Sequence, residues 1–232
     1  GEQTSRVGTP QSLGRLVLTI LPGIWQDTRT CNTIHADGCR KELTMTILTI
    51  LGGAKRNGNT ATILGWMEEA LQSAGHEIAR INLDGLNIHG CRGCYACMES
   101  HDSPGCVIDD DAHQVFDAMM VSDAIILSTP LYMWSYAGQL KCLLDRGLCL
   151  ATGYGESDHS SLIEGKPGAL LVSAGGGIAN NADAIQLSYP RWADYVKLAK
   201  GDVWIFENCT RPEQLGDDKR QRARELAERL VT

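Results

Sequence analysis

Four cysteines, arranged Cys91-x-x-Cys94-x-x-Cys97 with Cys106 after eight intervening residues, are the sharpest chemical signal in the chain. Thiolates at three-residue spacing can converge from one tight loop onto a metal ion or a cluster. A second group, Lys55, Asn57, Gly58, Asn59 and Thr60, follows the apolar run Thr46–Leu51. Glycines free the backbone there, and Asn59 or Thr60 can cap a helix. Unsatisfied N–H groups at a helix start, with Lys55 and Arg56 nearby, suit a phosphate. The segment lacks both the Gly-Lys-Ser/Thr of a Walker loop and the Gly-x-Gly-x-x-Gly of a dinucleotide site. A plain capped strand–helix turn is the simpler alternative.

Two further stretches add to this. Pro130, Leu131, Tyr132, Met133 and Trp134 offer apolar and aromatic surface with backbone polar groups, which suits a flat ring with polar edges. The same residues would also make an aromatic cluster at a subunit interface, and the two roles are compatible. Ala174, Gly175 and Gly176 are small enough for backbone to approach a planar ligand closely. Phosphate at one end and a flat ring at the other describe FMN.

Strands and helices must hold these loops. Thr46–Leu51 reads as a strand buried on both faces. Ile63, Trp66, Met67, Ala70, Leu71 and Ala74 fall on one face of a helix, which Gly75 stops. A strand over 76–83 precedes the cysteine segment. Asp109–Asp111 then open a helix that reaches about Val121, with Val115, Phe116, Met119 and Met120 inward. A strand over 124–129 leads to a helix carrying Leu140, Leu143 and Leu144. A polar insertion covers 151–167, a strand 169–173 and a helical region 181–198, perturbed at Pro190. A strand over 202–207 and a helix over 216–230, with Ala223, Leu226, Ala227 and Leu230 inward, complete the chain. This alternation predicts an α/β fold: a five-stranded parallel sheet, order 2-1-3-4-5, with helices on both faces. Ligands bind at its switch point, between the first and third strands, where the unusual loops gather.

The 232 residues suffice for one sizeable α/β core, and 43% apolar and 21% charged residues make an ordinary globular composition. A net charge of -7 without a basic stripe argues against nucleic acid as a partner. No apolar run approaches the roughly 20 residues of a membrane span. Nine cysteines, four of them clustered, point to metal or redox chemistry in a reducing, cytoplasmic setting rather than to a disulfide framework. Residues 1–44 read as an N-terminal arm, or as upstream coding sequence attached to a domain that begins at Met45; if ordered, Leu16, Leu18, Ile20, Leu21 and Trp25 would have to dock on the domain or on a neighbouring subunit. Arg6 and Arg15 precede an apolar stretch too short for a signal peptide, and no cleavage site follows it.

Gly52-Gly53-Ala54-Lys55-Arg56-Asn57-Gly58-Asn59-Thr60 resembles the phosphate loop of the flavodoxin-like NAD(P)H-dependent FMN reductase family, usually Gly-Ser-Pro-Arg-x-x-Gly-Asn-Thr. Gly53 and Ala54 depart from its Ser and Pro, and Lys55 replaces Arg. Pro130-Leu131-Tyr132, Leu140-Lys141 and Asp145-Arg146 resemble the family's second flavin segment. The resemblance, over 45 to about 230, implies an FMN-binding domain at 45–232. It also implies hydride transfer from NADH or NADPH to a small-molecule electron acceptor, such as a quinone or flavin. A homodimer or homotetramer, in which a neighbour covers part of the flavin, follows from it too. The cysteine motif resembles the iron–sulfur flavoproteins of the same family, whose motif carries a 4Fe–4S cluster, although the last gap is longer here. Three readings of Cys91, Cys94, Cys97 and Cys106 stand: a 4Fe–4S site, thiols lining the flavin pocket, and zinc or a redox disulfide. His89 and His101 are near enough to be zinc ligands. Cys31, Cys39, Cys142, Cys149 and Cys209 read as small apolar residues or surface thiols. The rival functions are an electron-transfer protein without nicotinamide turnover and a flavin-controlled sensor.

Overall fold

The computed structural model describes residues 43–155 and 157–232. The expected arm, with Leu16, Leu18, Ile20, Leu21, Trp25, Cys31 and Cys39, lies outside the described residues apart from Leu43 and Thr44. From Met45 the elements run β1 (Thr46–Leu51), α1 (Asn59–Ser73), β2 (Glu77–Asn82), α2 (Ala112–Val121), β3 (Ala124–Pro130) and α3 (Gly138–Asp145). A two-stranded antiparallel hairpin follows, β4 (Ala151–Thr152) with β5 (Ser160–Ser161), within the stretch expected as an insertion. Then come β6 (Gly168–Ser173), α4 (Asp183–Tyr195), β7 (Asp202–Phe206) and α5 (Gly216–Val231).

The main sheet is parallel in the order β2-β1-β3-β6-β7, the expected 2-1-3-4-5. Side chains alternate across a strand, yet Ile47 to Leu51 are all buried, so both faces of β1 are covered. On one face α1 and α5 lie side by side. They bury Ile63, Leu64, Met67 and Leu71 with Ala223, Leu226, Ala227 and Leu230 against Ile47, Leu51, Ile126 and Leu171. Fully burying one such side chain stabilises the fold by roughly 1.5–3 kcal/mol. The buried Thr49 donates to Glu68 of α1 at 2.6 Å, and Glu68 accepts from Arg80 of β2 at 3.0 Å, so polar groups under the layer are paired.

Periodicity misplaced a few residues. Met120 is only half-buried and Ala74, where α1 stops, is exposed. The helix expected to open at Asp109 begins at Ala112. Asp110 and Asp111 instead use their carboxylates as acceptors for backbone N–H groups of 87, 89 and 112.

Candidate functional site

The carboxyl ends of β1, β3, β6 and β7 are fastened to one another before the chain leaves the sheet. Gly52 N–H donates to Ser128 O (2.7 Å), Leu131 N–H to Ser173 O (2.9 Å) and Ala174 N–H to Phe206 O (2.8 Å). Between them opens a cleft lined by Gly53, Ala54, Lys55 and 57–60, by Pro130, Leu131 and Tyr132, and by Ser173 and Gly175. Cys209, Thr210, Pro212 and Glu213 form its far wall. The expected phosphate loop and parts of the two other loops therefore share one space.

The start of α1 faces this cleft with no side-chain cap, Gly58 being its N-cap. The expectation that Asn59 or Thr60 caps the helix is corrected: both are inside it. The Asn59 amide donates to Cys209 O at 2.8 Å, across to the loop after β7. Thr60 Oγ1 pairs with Ser173 Oγ at 2.7 Å. Asn59 Oδ1 is buried and has no hydrogen-bond partner among the described residues. Arg56 turns away, donating to Asp84 O at 2.9 Å, which leaves Lys55 as the cation of the lining.

A Cβ on Gly53 would stand 2.8 Å from Pro130 Cδ, so the two loops meet too closely for a side chain there. Thr129 Oγ1 accepts from Ala137 N–H at 2.9 Å and closes the base of the aromatic loop. At its tip Tyr132 and Ser135 exchange both backbone hydrogen bonds at 3.0 Å around Met133 (φ 46°) and Trp134 (φ 63°). That is a left-handed tight turn, which bulky residues seldom occupy. Met133 is 81% and Trp134 55% exposed, and neither lines the cleft, contrary to the expectation that both flank a ring. Ala174 is buried beneath its strand end and Gly176 packs against Asn181, so Gly175 alone of that trio faces the cleft. The wall of Cys209 to Glu213 was missed because the composition of the loop after β7 is unremarkable; its only signal was that it, too, follows a strand's carboxyl end.

The cysteines occupy a separate pocket. Cys91, Cys94, Cys97 and Cys106 ring it with Ile108, Arg146, Leu148 and the buried Cys149. None of the four motif cysteines lines the cleft. Among the described residues no three His, Cys, Asp or Glu side chains gather as one ion requires, and all four thiols are free. His89 Nδ1 lies 3.3 Å from Asp110 Oδ2, and the exposed His101 is outside the pocket lining. The long last gap folds back on itself: a Cβ on Gly105 would meet Ser100 Cβ at 2.5 Å and Cys97 Cα at 3.2 Å. Burial, then the neighbouring Cys106, pushes the Cys97 thiol up, and burial pushes Cys149 up.

Arg146, at the end of α3, reaches under this pocket. Its Nη1 lies 2.6 Å from each Asp110 oxygen, and Nη2 donates to Cys106 Sγ at 3.3 Å and Ile108 O at 3.4 Å. Burial disfavours the Asp110 charge, but the Arg146 hydrogen bond and the His89 and Ala112 N–H groups outweigh it, holding its pKa at about 2.

The sequence model of the family described as NADPH-dependent FMN reductase matches residues 45–198. The chain belongs to that family. Among curated relatives, the iron–sulfur flavoprotein of Methanosarcina thermophila is 33% identical over 166 residues, covering 72% of this chain and 82% of that protein. A solved flavone reductase superposes with TM-score 0.61 at 20% identity, covering 81% of this chain and 62% of that one. The chain thus spans less than two thirds of the length of that structure. A NAD(P)H:quinone oxidoreductase from Methanothermobacter marburgensis superposes with TM-score 0.60 at 17% identity, covering 82% and 98%. At these identities the superpositions establish the flavodoxin-like fold. In this member of the family, Gly53, where Ser is usual, packs directly against Pro130.

Proposed function

We propose that the chain is an FMN-dependent oxidoreductase that takes hydride from NAD(P)H and passes electrons to a small acceptor such as a quinone or flavin. The observation that carries this is the uncapped start of α1 in a cleft at the switch point of the sheet. The residues fit the cofactor. Lys55 and the backbone N–H groups at the start of α1 suit its phosphate, with Asn57 and Gly58 shaping the loop. The buried Asn59 Oδ1 is an acceptor lacking a donor, and the ribityl hydroxyls of FMN supply donors. Pro130, Leu131, Tyr132 and Gly175 flank the ring. Bound FMN supplies hydride acceptance and electron delivery, while the protein binds, orients and shields it. The exposed turn at Met133 and Trp134 is surface for a neighbouring subunit of a homodimer or homotetramer. Residues 45–232 form the FMN-binding domain, working in the reducing cytoplasm.

A second reading concerns the cysteine pocket. Each thiolate of a 4Fe–4S cluster binds a different iron, so the four stand farther apart than ligands of one ion. A ring of four free thiols around a pocket with apolar walls fits that donor set, and the Methanosarcina relative bears the name of such a protein. We therefore assign Cys91, Cys94, Cys97 and Cys106 to a 4Fe–4S cluster. Anaerobic assays of NADH and NADPH oxidation by the FMN-loaded chain test the enzyme reading. Turnover with either nucleotide supports it; none with both leaves an electron carrier without nicotinamide turnover.

A further inference from the structure

Arg146 and Asp110 are the most deeply buried ion pair among the described residues, with side chains 1% and 0% exposed. Such a pair is costly to bury, and removing one partner strands the other's charge. This one stands where the cysteine pocket meets the fold. Asp110 gathers Arg146 together with the His89 and Ala112 N–H groups, joining the loop to the start of α2. Arg146 spends its other amino group on Cys106 Sγ and Ile108 O, and its guanidinium lies 5.7 Å from the Phe116 ring centroid. One guanidinium therefore locates Cys106, the cysteine that follows the long gap, and points an N–H at its sulfur.

We propose that Arg146 is a positioning residue that sets the reduction potential of the iron–sulfur group through Cys106, with Asp110 as its counter-charge. The inference rests on the 4Fe–4S reading given above. An N–H donor and a positive charge at a ligand sulfur favour the reduced, more negative cluster, which raises its potential. The two partners must then act with opposite sign. Arg146→Lys loses the fork that spans Asp110 and Cys106, and Arg146→Gln removes the cation beside a retained carboxylate; both lower the potential. Asp110→Asn leaves the cation uncompensated and raises it. A role confined to holding the loop would not separate the two partners by sign.

The test reconstitutes the full chain anaerobically with iron and sulfide, assays both, and titrates the cluster potential in wild type and the three variants. Bound FMN serves as the check that each variant is folded. The expected result is a lowered potential in Arg146→Lys, where the charge is kept and the fold is safest, and a raised one in Asp110→Asn. Potentials equal to wild type, or shifted the same way in both, overturn the assignment. A wild-type chain that takes up no iron overturns the cluster reading and this inference together, and is recognised by the metal assay before any potential is measured.

Discussion

At the scale of single residues, the site depends on contacts that motif matching does not display. Gly53 shows this best. The resemblance marks it as a departure from Ser, a lost hydroxyl, whereas the fold shows that any side chain there strikes the rigid ring of Pro130 at 2.8 Å. Restoring the family's residue, Gly53→Ser, should therefore harm the protein. Overpacking of this kind costs roughly 1–3 kcal/mol, and the phosphate loop must shift to relieve it. The expected outcome is a lower denaturation midpoint and weaker FMN binding, read by urea unfolding and flavin titration; a tighter-binding variant contradicts this account of the loop. Asn59 was legible as a site residue but not in its role, because no pattern in sequence reveals that its amide is held by Cys209 O, 150 residues away.

At the scale of elements, strands and helices were legible because their signals are local. The β-branched run of β1 and the inward residues of α5 all landed as their spacing required. What failed was decided by tertiary partners. Asp109–Asp111 looked like an acidic first turn, but Asp110 is drawn to Arg146 and the helix starts later. Met133 and Trp134 looked like ring-facing residues, but a left-handed turn carries them outward. The end of α2 offers a prediction of the same kind. Lys166, from the segment before β6, donates to Met119 O at 3.1 Å and to Met120 O and Ser122 O at 2.5 Å, placing a cation at a helix C-terminus. Lys166→Met keeps the aliphatic stem and removes the donor, so it should cost about 1–2 kcal/mol in chemical denaturation. An unchanged midpoint would mean that water serves those carbonyls equally well.

For the whole molecule, the fold holds two chemically distinct places: a cleft at the β1/β3 switch point and a ring of thiols in the segment that follows β2. The sequence separated the motifs but could not say whether they share a pocket, since that depends on how α3 returns Arg146 to the cysteine loop. The ion pair that anchors this return also predicts a pH dependence. A carboxyl lowered on folding, here from 3.8 to about 2, stabilises the fold above its unfolded pKa and loses that contribution as pH falls through its folded one. The contribution is full above about pH 5 and largely gone near pH 2, on the order of 2 kcal/mol. Urea midpoints measured from pH 5 to pH 2.5 should fall more steeply in wild type than in Asp110→Asn, and parallel curves would remove the pair from the acid response. The central claim, that the cleft holds FMN, is tested most directly by titrating FMN into the flavin-stripped full chain and following flavin fluorescence. The account predicts saturable binding at one FMN per chain; a titration with no saturable uptake contradicts it.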